Sequence, residues 1–234
     1  MGYIPSRSLL KNSSFHLNSM KKKGQFFPVG DTTVSHSRPI ITYSLIAINI
    51  IIFIWSLTNF NGIIDLYGFK PGEFVIVTLF TSMFLHGGVD HILGNMWFLF
   101  IFGDNVEDKF GKVKYILFYL ASGLAAALVH YATDTSSLIP TIGASGAISG
   151  ILGAYLILFP REGVHIGSLY GTGTMPAYFM IGFWFVMQLF LGTITLFGGS
   201  GSGIAFWAHV GGFVFGVGIA FAYKIVTEPK KKKK

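Results

Sequence analysis

The chain has 234 residues, of which 52% are apolar and only 12% charged; soluble domains carry about 25% charged residues, so the composition excludes a water-soluble fold and implies a membrane protein. There is no cysteine, which excludes disulfides, thiolate chemistry and cysteine-based metal sites. The net charge of +7 sits mostly in the two tails, a pattern that suits an anionic membrane face and not a nucleic acid.

Residues 1–39 read as a basic cytoplasmic tail, in part disordered, carrying Arg7, Lys11, Lys21, Lys22, Lys23 and Arg38 but no signal-peptide pattern. A spanning helix needs about 20 residues, with a range of about 17–25. The first candidate covers about 41–58. Residues 59–84 mix aromatics with Asp65, Lys70 and Glu73 and read as an interfacial segment. Further helices are expected at about 89–103, 114–132, 145–159, 177–197 and 203–224. A polylysine tail at 226–234 follows a helical domain at 40–225. With a cytoplasmic N-terminus, this count puts 16 of the 17 Lys and Arg residues inside and only Lys70 outside, as the positive-inside rule asks. The expected fold is an all-α membrane protein, a six-transmembrane-helix bundle with both termini cytoplasmic.

Four polar residues do not belong in lipid: Ser145 at the start of the fourth helix, His209 in the sixth, and His91 and Asn95 one turn apart on the second. Embedded polar groups are costly, which makes them functional candidates. His209 lies six residues into its predicted helix, or about 9 Å below its start. The fourth helix is too short to cross the roughly 30 Å hydrocarbon core, so a sunken start brings Ser145 to a similar depth. Gly146, Gly150 and Gly153 on the fourth helix, and Ala208, Gly212 and Gly216 on the sixth, permit the two helices to pack closely.

A serine hydroxyl becomes a useful nucleophile when a base takes its proton, and histidine is the usual base near neutral pH. The oxyanion formed on attack needs fixed donors. The Ser145 N–H at a helix start, the Asn95 amide and the His91 ring are candidates. No Asp or Glu stands beside His209, so a dyad is expected; Asp90 is the nearest carboxylate, at the rim. Each residue alone also fits plain helix packing, and it is their co-occurrence at matched depth that favours catalysis. A metal site from His86, Asp90, His91 and His209 is disfavoured, because His86 and His91 are five apart and off one helical face. Transport is disfavoured by the lack of Asp, Glu, Lys or Arg in the middle of any predicted span.

Three stretches resemble the rhomboid family of intramembrane serine proteases. They are HGGVDHILGNMWFLFIFGDNVED at 86–108, GASGAISGILGAYLILFPR at 143–161 and AHVGGFVFG at 208–216. The resemblance implies cofactor-free cleavage of single-pass membrane protein substrates near the outer face, with Ser145 as nucleophile and His209 as base. It implies an oxyanion hole of His91, Asn95 and the Ser145 N–H. It further implies a membrane-lipid environment, by analogy the bacterial inner (plasma) membrane. Some relatives place a Tyr one turn after the nucleophile to stack on the histidine; here that position is Ser149, which leaves the stacking role open to another aromatic, Phe206 and Trp207 being near in sequence. The glycine run at 198–203 resembles the family's flexible cap over the site.

Overall fold

The computed structural model describes residues 27–168, 171–197 and 204–227. Residues 1–26, the glycine run read as a cap and residues 228–234 of the polylysine tail lie outside the described residues, and the first two residues of that expected tail, 226 and 227, end α8. Strand β1 (Phe27–Asp31) leads into α1 (Ile40–Ser56). The segment expected at the interface forms α2 (Phe60–Tyr67) and α3 (Thr78–Thr81), with short 3-10 turns at Pro71–Glu73 and Ser82–Phe84. Helices α4 (Val89–Phe110) and α5 (Lys112–Thr133) are separated by Gly111 alone, whose φ of +74° is left-handed backbone that favours glycine. There follow α6 (Ser145–Leu158), strands β2 (Gly163–Ser168) and β3 (Gly171–Pro176), α7 (Ala177–Leu196) and α8 (Phe206–Thr227).

Helices α5, α7 and α8 are long and apolar enough to cross a membrane, while α1 and α6 are apolar but shorter. Helix α4 is long but carries Asp90 in its first turn and Asp104, Glu107, Asp108 and Lys109 towards its end. The chain is a multi-span integral membrane protein, largely helical.

It is not all-α. The three strands form an antiparallel sheet in the order β1-β2-β3, at the end of α6 opposite Ser145. Strand β1 comes from the segment expected to be a tail, and β2 and β3 from the expected loop between the fourth and fifth helices. Alternation explains the docking of β2: Val164 and Ile166 point the same way and are buried, while His165 between them is exposed. Strand β1 is tied to the helices by polar contacts. Trp97 Nε1 donates to the Pro28 carbonyl at 2.6 Å, and Asn105 Nδ2 and the Tyr155 hydroxyl both donate to Asp31 Oδ2. Burial raises the Asp31 pKa above its ordinary value, outweighing the hydrogen bonds that its carboxylate accepts.

The core is built around α6, and no residue of α6 is exposed. A helix clad by others has no need of a polar face, and its sequence SGAISGILGAYLIL has none. Its seam with α8 is made backbone to backbone. A Cβ added at Gly212 would collide with the Gly146 carbonyl oxygen, one at Gly216 with the Gly150 carbonyl oxygen, and one at Gly153 with the Phe213 carbonyl oxygen. On the other side, Gly146 packs on Ala126 and Gly150 on Ser122 of α5.

The start of α1 has no capping side chain of its own, and a helix start leaves its first N–H groups without partners. Glu107 of α4 supplies them. Its buried carboxylate accepts from the N–H of Ile41 at 3.0 Å, and from the N–H and the hydroxyl of Thr42, both at 2.8 Å. Glu107→Ala strands these donors in a dry setting and is expected to cost about 2–4 kcal/mol. A drop in the thermal unfolding midpoint of the detergent-purified variant is the check, with Glu107→Gln expected to fall between it and wild type.

Candidate active site

Ser145 is the first residue of α6. The chain reaches it through a tightly held loop. Phe69 and Thr141 exchange backbone hydrogen bonds at 3.1 and 2.8 Å, and the Gly143 N–H donates to the Ser82 carbonyl at 2.9 Å. Gly143 adopts φ +123°, and a Cβ there would stand 2.8 Å from the His91 ring and 3.6 Å from Ser145 Oγ. Only glycine lets this loop come so close to His91.

The structure brings Ser145 and His209 together. Ser145 Oγ lies 2.8 Å from His209 Nε2. The other ring nitrogen, Nδ1, lies 2.8 Å from Oε1 of Gln188, a buried residue of α7. An amide oxygen only accepts, so Nδ1 carries the ring proton and Nε2 is left with a lone pair facing the serine hydroxyl. The hydroxyl then donates to Nε2, the arrangement in which a base can take its proton.

His91 and Asn95 stand one turn apart on α4, near the same loop. His91 Nδ1 accepts from the Gly87 N–H at 3.2 Å, which places the proton of the neutral ring on Nε2 as a free donor. Asn95 Nδ2 donates to the His91 carbonyl at 2.9 Å, on its own helix, and keeps a second amide proton. The Ser145 N–H is one of the helix-start amides without an intrahelical partner. His86 packs edge-on against the His91 ring, with centroids 5.1 Å apart. His130 is bonded to Thr141, in the loop that leads to Ser145, and His165 to Thr174 on the sheet at the other end of α6.

Two residues of the site escaped the sequence reading, and both lie on α7. Gln188 is a single amide inside a run of 20 residues that otherwise reads as an ordinary apolar span. Trp184, one turn away on the same helix, is the aromatic neighbour of His209, with ring centroids 6.0 Å apart and planes inclined at 33°. Ser149 does not reach the ring; its hydroxyl folds back onto the Ser145 carbonyl at 2.6 Å. Trp207, nearer in sequence, donates instead to the Gly192 carbonyl at 3.0 Å and pins the start of α8 to α7. A lone glutamine within the apolar run AYFMIGFWFVMQLFLGTITL, followed by glycine one turn later, is the signal that could have found this face.

Helix α8 begins at Phe206, so His209 lies only three residues inside its helix and not six. The neighbouring helices provide the depth. Helix α7 runs on from Gln188 to Leu196, about 12 Å of rise, and α5 from Ala126 to Thr133, about 10 Å. Both α6 and α8 start late, and the pair sits in the recess between longer walls.

The rhomboid domain matches residues 73–225. The rhomboid protease AarA of Providencia stuartii is 30% identical over 158 residues, covering 62% of this chain and 55% of that protein. The rhomboid protease GluP of Bacillus subtilis is 32% identical over 131 residues, covering 52% of this chain and 25% of that protein. RHOMBOID-like protein 1 of Arabidopsis thaliana is 32% identical over 147 residues, covering 63% of this chain and 34% of that protein. The aligned part is thus between a quarter and about half of each relative's length. The domain match takes in more than half of the chain, including His91, Asn95, Ser145 and His209, and the chain belongs to the rhomboid family.

Proposed function

We propose that this protein is an intramembrane serine endopeptidase that cuts single-pass membrane protein substrates near the outer membrane face. The reading is carried by one observation, the 2.8 Å contact between Ser145 Oγ and His209 Nε2 from two helices packed backbone to backbone. In this reading the Ser145 proton passes to Nε2 as Oγ bonds to the scissile carbonyl carbon. The carbonyl oxygen becomes an oxyanion, held by the Ser145 N–H, the His91 Nε2–H and the free Asn95 amide proton. Collapse breaks the C–N bond, and Nε2 returns its proton to the leaving amine. Water, activated by the same nitrogen, then hydrolyses the acyl ester and restores the serine.

The same reading takes the helices at 40–56, 89–110, 112–133, 145–158, 177–196 and 206–227 as six spans. Both termini are cytoplasmic, and the membrane is that of a bacterial cell. Substrate helices have their amides paired and shielded, so helix-weakening residues near the cut are favoured.

The test is cleavage of a generic transmembrane substrate by the purified protein in lipid vesicles. Ser145→Ala is expected to leave no product above background. Product equal to wild type from Ser145→Ala would remove the nucleophile assignment.

A further inference from the structure

Gln188 is the only Asp, Glu, Lys, Arg, Asn, Gln or His in the α7 sequence. A buried primary amide in a membrane helix is costly unless its groups are bonded. Its oxygen is bonded to one group, Nδ1 of His209, at 2.8 Å. The seam between α7 and α8 fixes this pairing at both ends. On one side Trp207 donates to the Gly192 carbonyl, and a Cβ at Gly192 would meet Phe206 and Trp207 at 3.2 Å. On the other, Phe185 stacks on Phe213 with centroids 4.2 Å apart and planes at 17°. Gln188 lies one turn from Gly192 and one turn from Trp184, level with His209 between these two contacts.

We infer that Gln188 is a positioning residue for His209, holding the ring in the tautomer and orientation that a base for Ser145 requires, the part a carboxylate plays in a serine triad. This rests on the serine-protease reading above. The physical reason is a choice between two ring states. With the amide oxygen toward Nδ1, that nitrogen carries the proton and Nε2 accepts from Ser145. With the amide nitrogen toward Nδ1, the proton moves to Nε2, which then cannot take another from the serine. A neutral amide serves here where a carboxylate would have to be buried as a charge in an apolar wall. It orients the ring without offsetting the positive charge that the ring gains during reaction, so its effect is smaller than that of a triad carboxylate.

Gln188→Met keeps length and apolar packing and removes the acceptor. With a transmembrane substrate in lipid vesicles, kcat is expected to fall about 10- to 100-fold, KM to stay within about twofold, and the thermal unfolding midpoint to hold. Nitrogen NMR of the His209 ring, identified by the signals lost in His209→Ala, is expected to show the Nδ1–H tautomer in wild type and a mixture in Gln188→Met. An unchanged kcat in Gln188→Met, or a wild-type ring protonated at Nε2, overturns the role of Gln188. A fall in kcat that comes with an equal loss of thermal stability and an unaltered tautomer also overturns it, because Gln188 is then merely structural. Ser145→Ala separates the two readings. If it still cleaves, the protease mechanism fails; if it is inactive while Gln188→Met is not, only the positioning role does.

Discussion

His209→Ala is expected to lower kcat for a transmembrane substrate by about four orders of magnitude. The size follows from what the ring does in the proposed mechanism. Without a lone pair at Nε2, the Ser145 proton has nowhere to go during attack, and the leaving amine has no proton to collect. Donors at the oxyanion remain, but they act on an intermediate that is no longer formed at a useful rate. Stability should fall by no more than about 1–3 kcal/mol, the cost of leaving the buried Gln188 amide oxygen without its partner. Single-turnover cleavage in lipid vesicles, beside a thermal unfolding curve, checks both parts. A variant that unfolds early would trace the lost activity to packing and not to chemistry.

The second large effect is expected at the seam between α6 and α8. Gly216→Leu places a side chain where the Gly150 carbonyl already stands. Both sides of that contact are backbone, so no rotamer change relieves it and the helices must part. The expected destabilisation is more than about 3 kcal/mol. Activity should fall with it, because separating the helices lengthens the Ser145–His209 contact and weakens it steeply. Gly218→Ala is the control on the same helix, since a Cβ there meets nothing within 4 Å. It should leave both the unfolding midpoint and cleavage close to wild type.

The pairing of Ser145 with His209 was legible because two kinds of sequence signal coincided. Small residues at four-residue spacing gave the seam, and a serine and a histidine beside it gave the chemistry. The shortness of α6 was equally readable, since Phe159-Pro160-Arg161 bounds it on one side and a polar stretch on the other. What was missed has physical causes. Strand β3 reads GTGTMP, with no apolar alternation, and β1 contains a proline and a glycine, so neither carries a strand pattern. They form because Asp31 and Trp97 tie β1 to the helices and β2 presents Val164 and Ile166 to the core. Glu107 lies beyond the helix expected at 89–103, and nothing local marks it as the cap of α1, 65 residues away. Trp184 and Gln188 were hidden for the opposite reason, as they lie inside a run that reads as an ordinary span.

One consequence of the cladding of α6 concerns the bilayer itself. A helix that meets lipid is under pressure to match the hydrocarbon thickness, by tilting or by deforming the membrane around it. Helix α6 presents no exposed residue and is exempt from that matching. It can stop after 14 residues, well short of a full crossing, without thinning the lipid. Changes in bilayer thickness therefore act on α7, whose Phe179, Phe183, Val186 and Phe190 face outward, and leave the register of Ser145 to protein contacts alone.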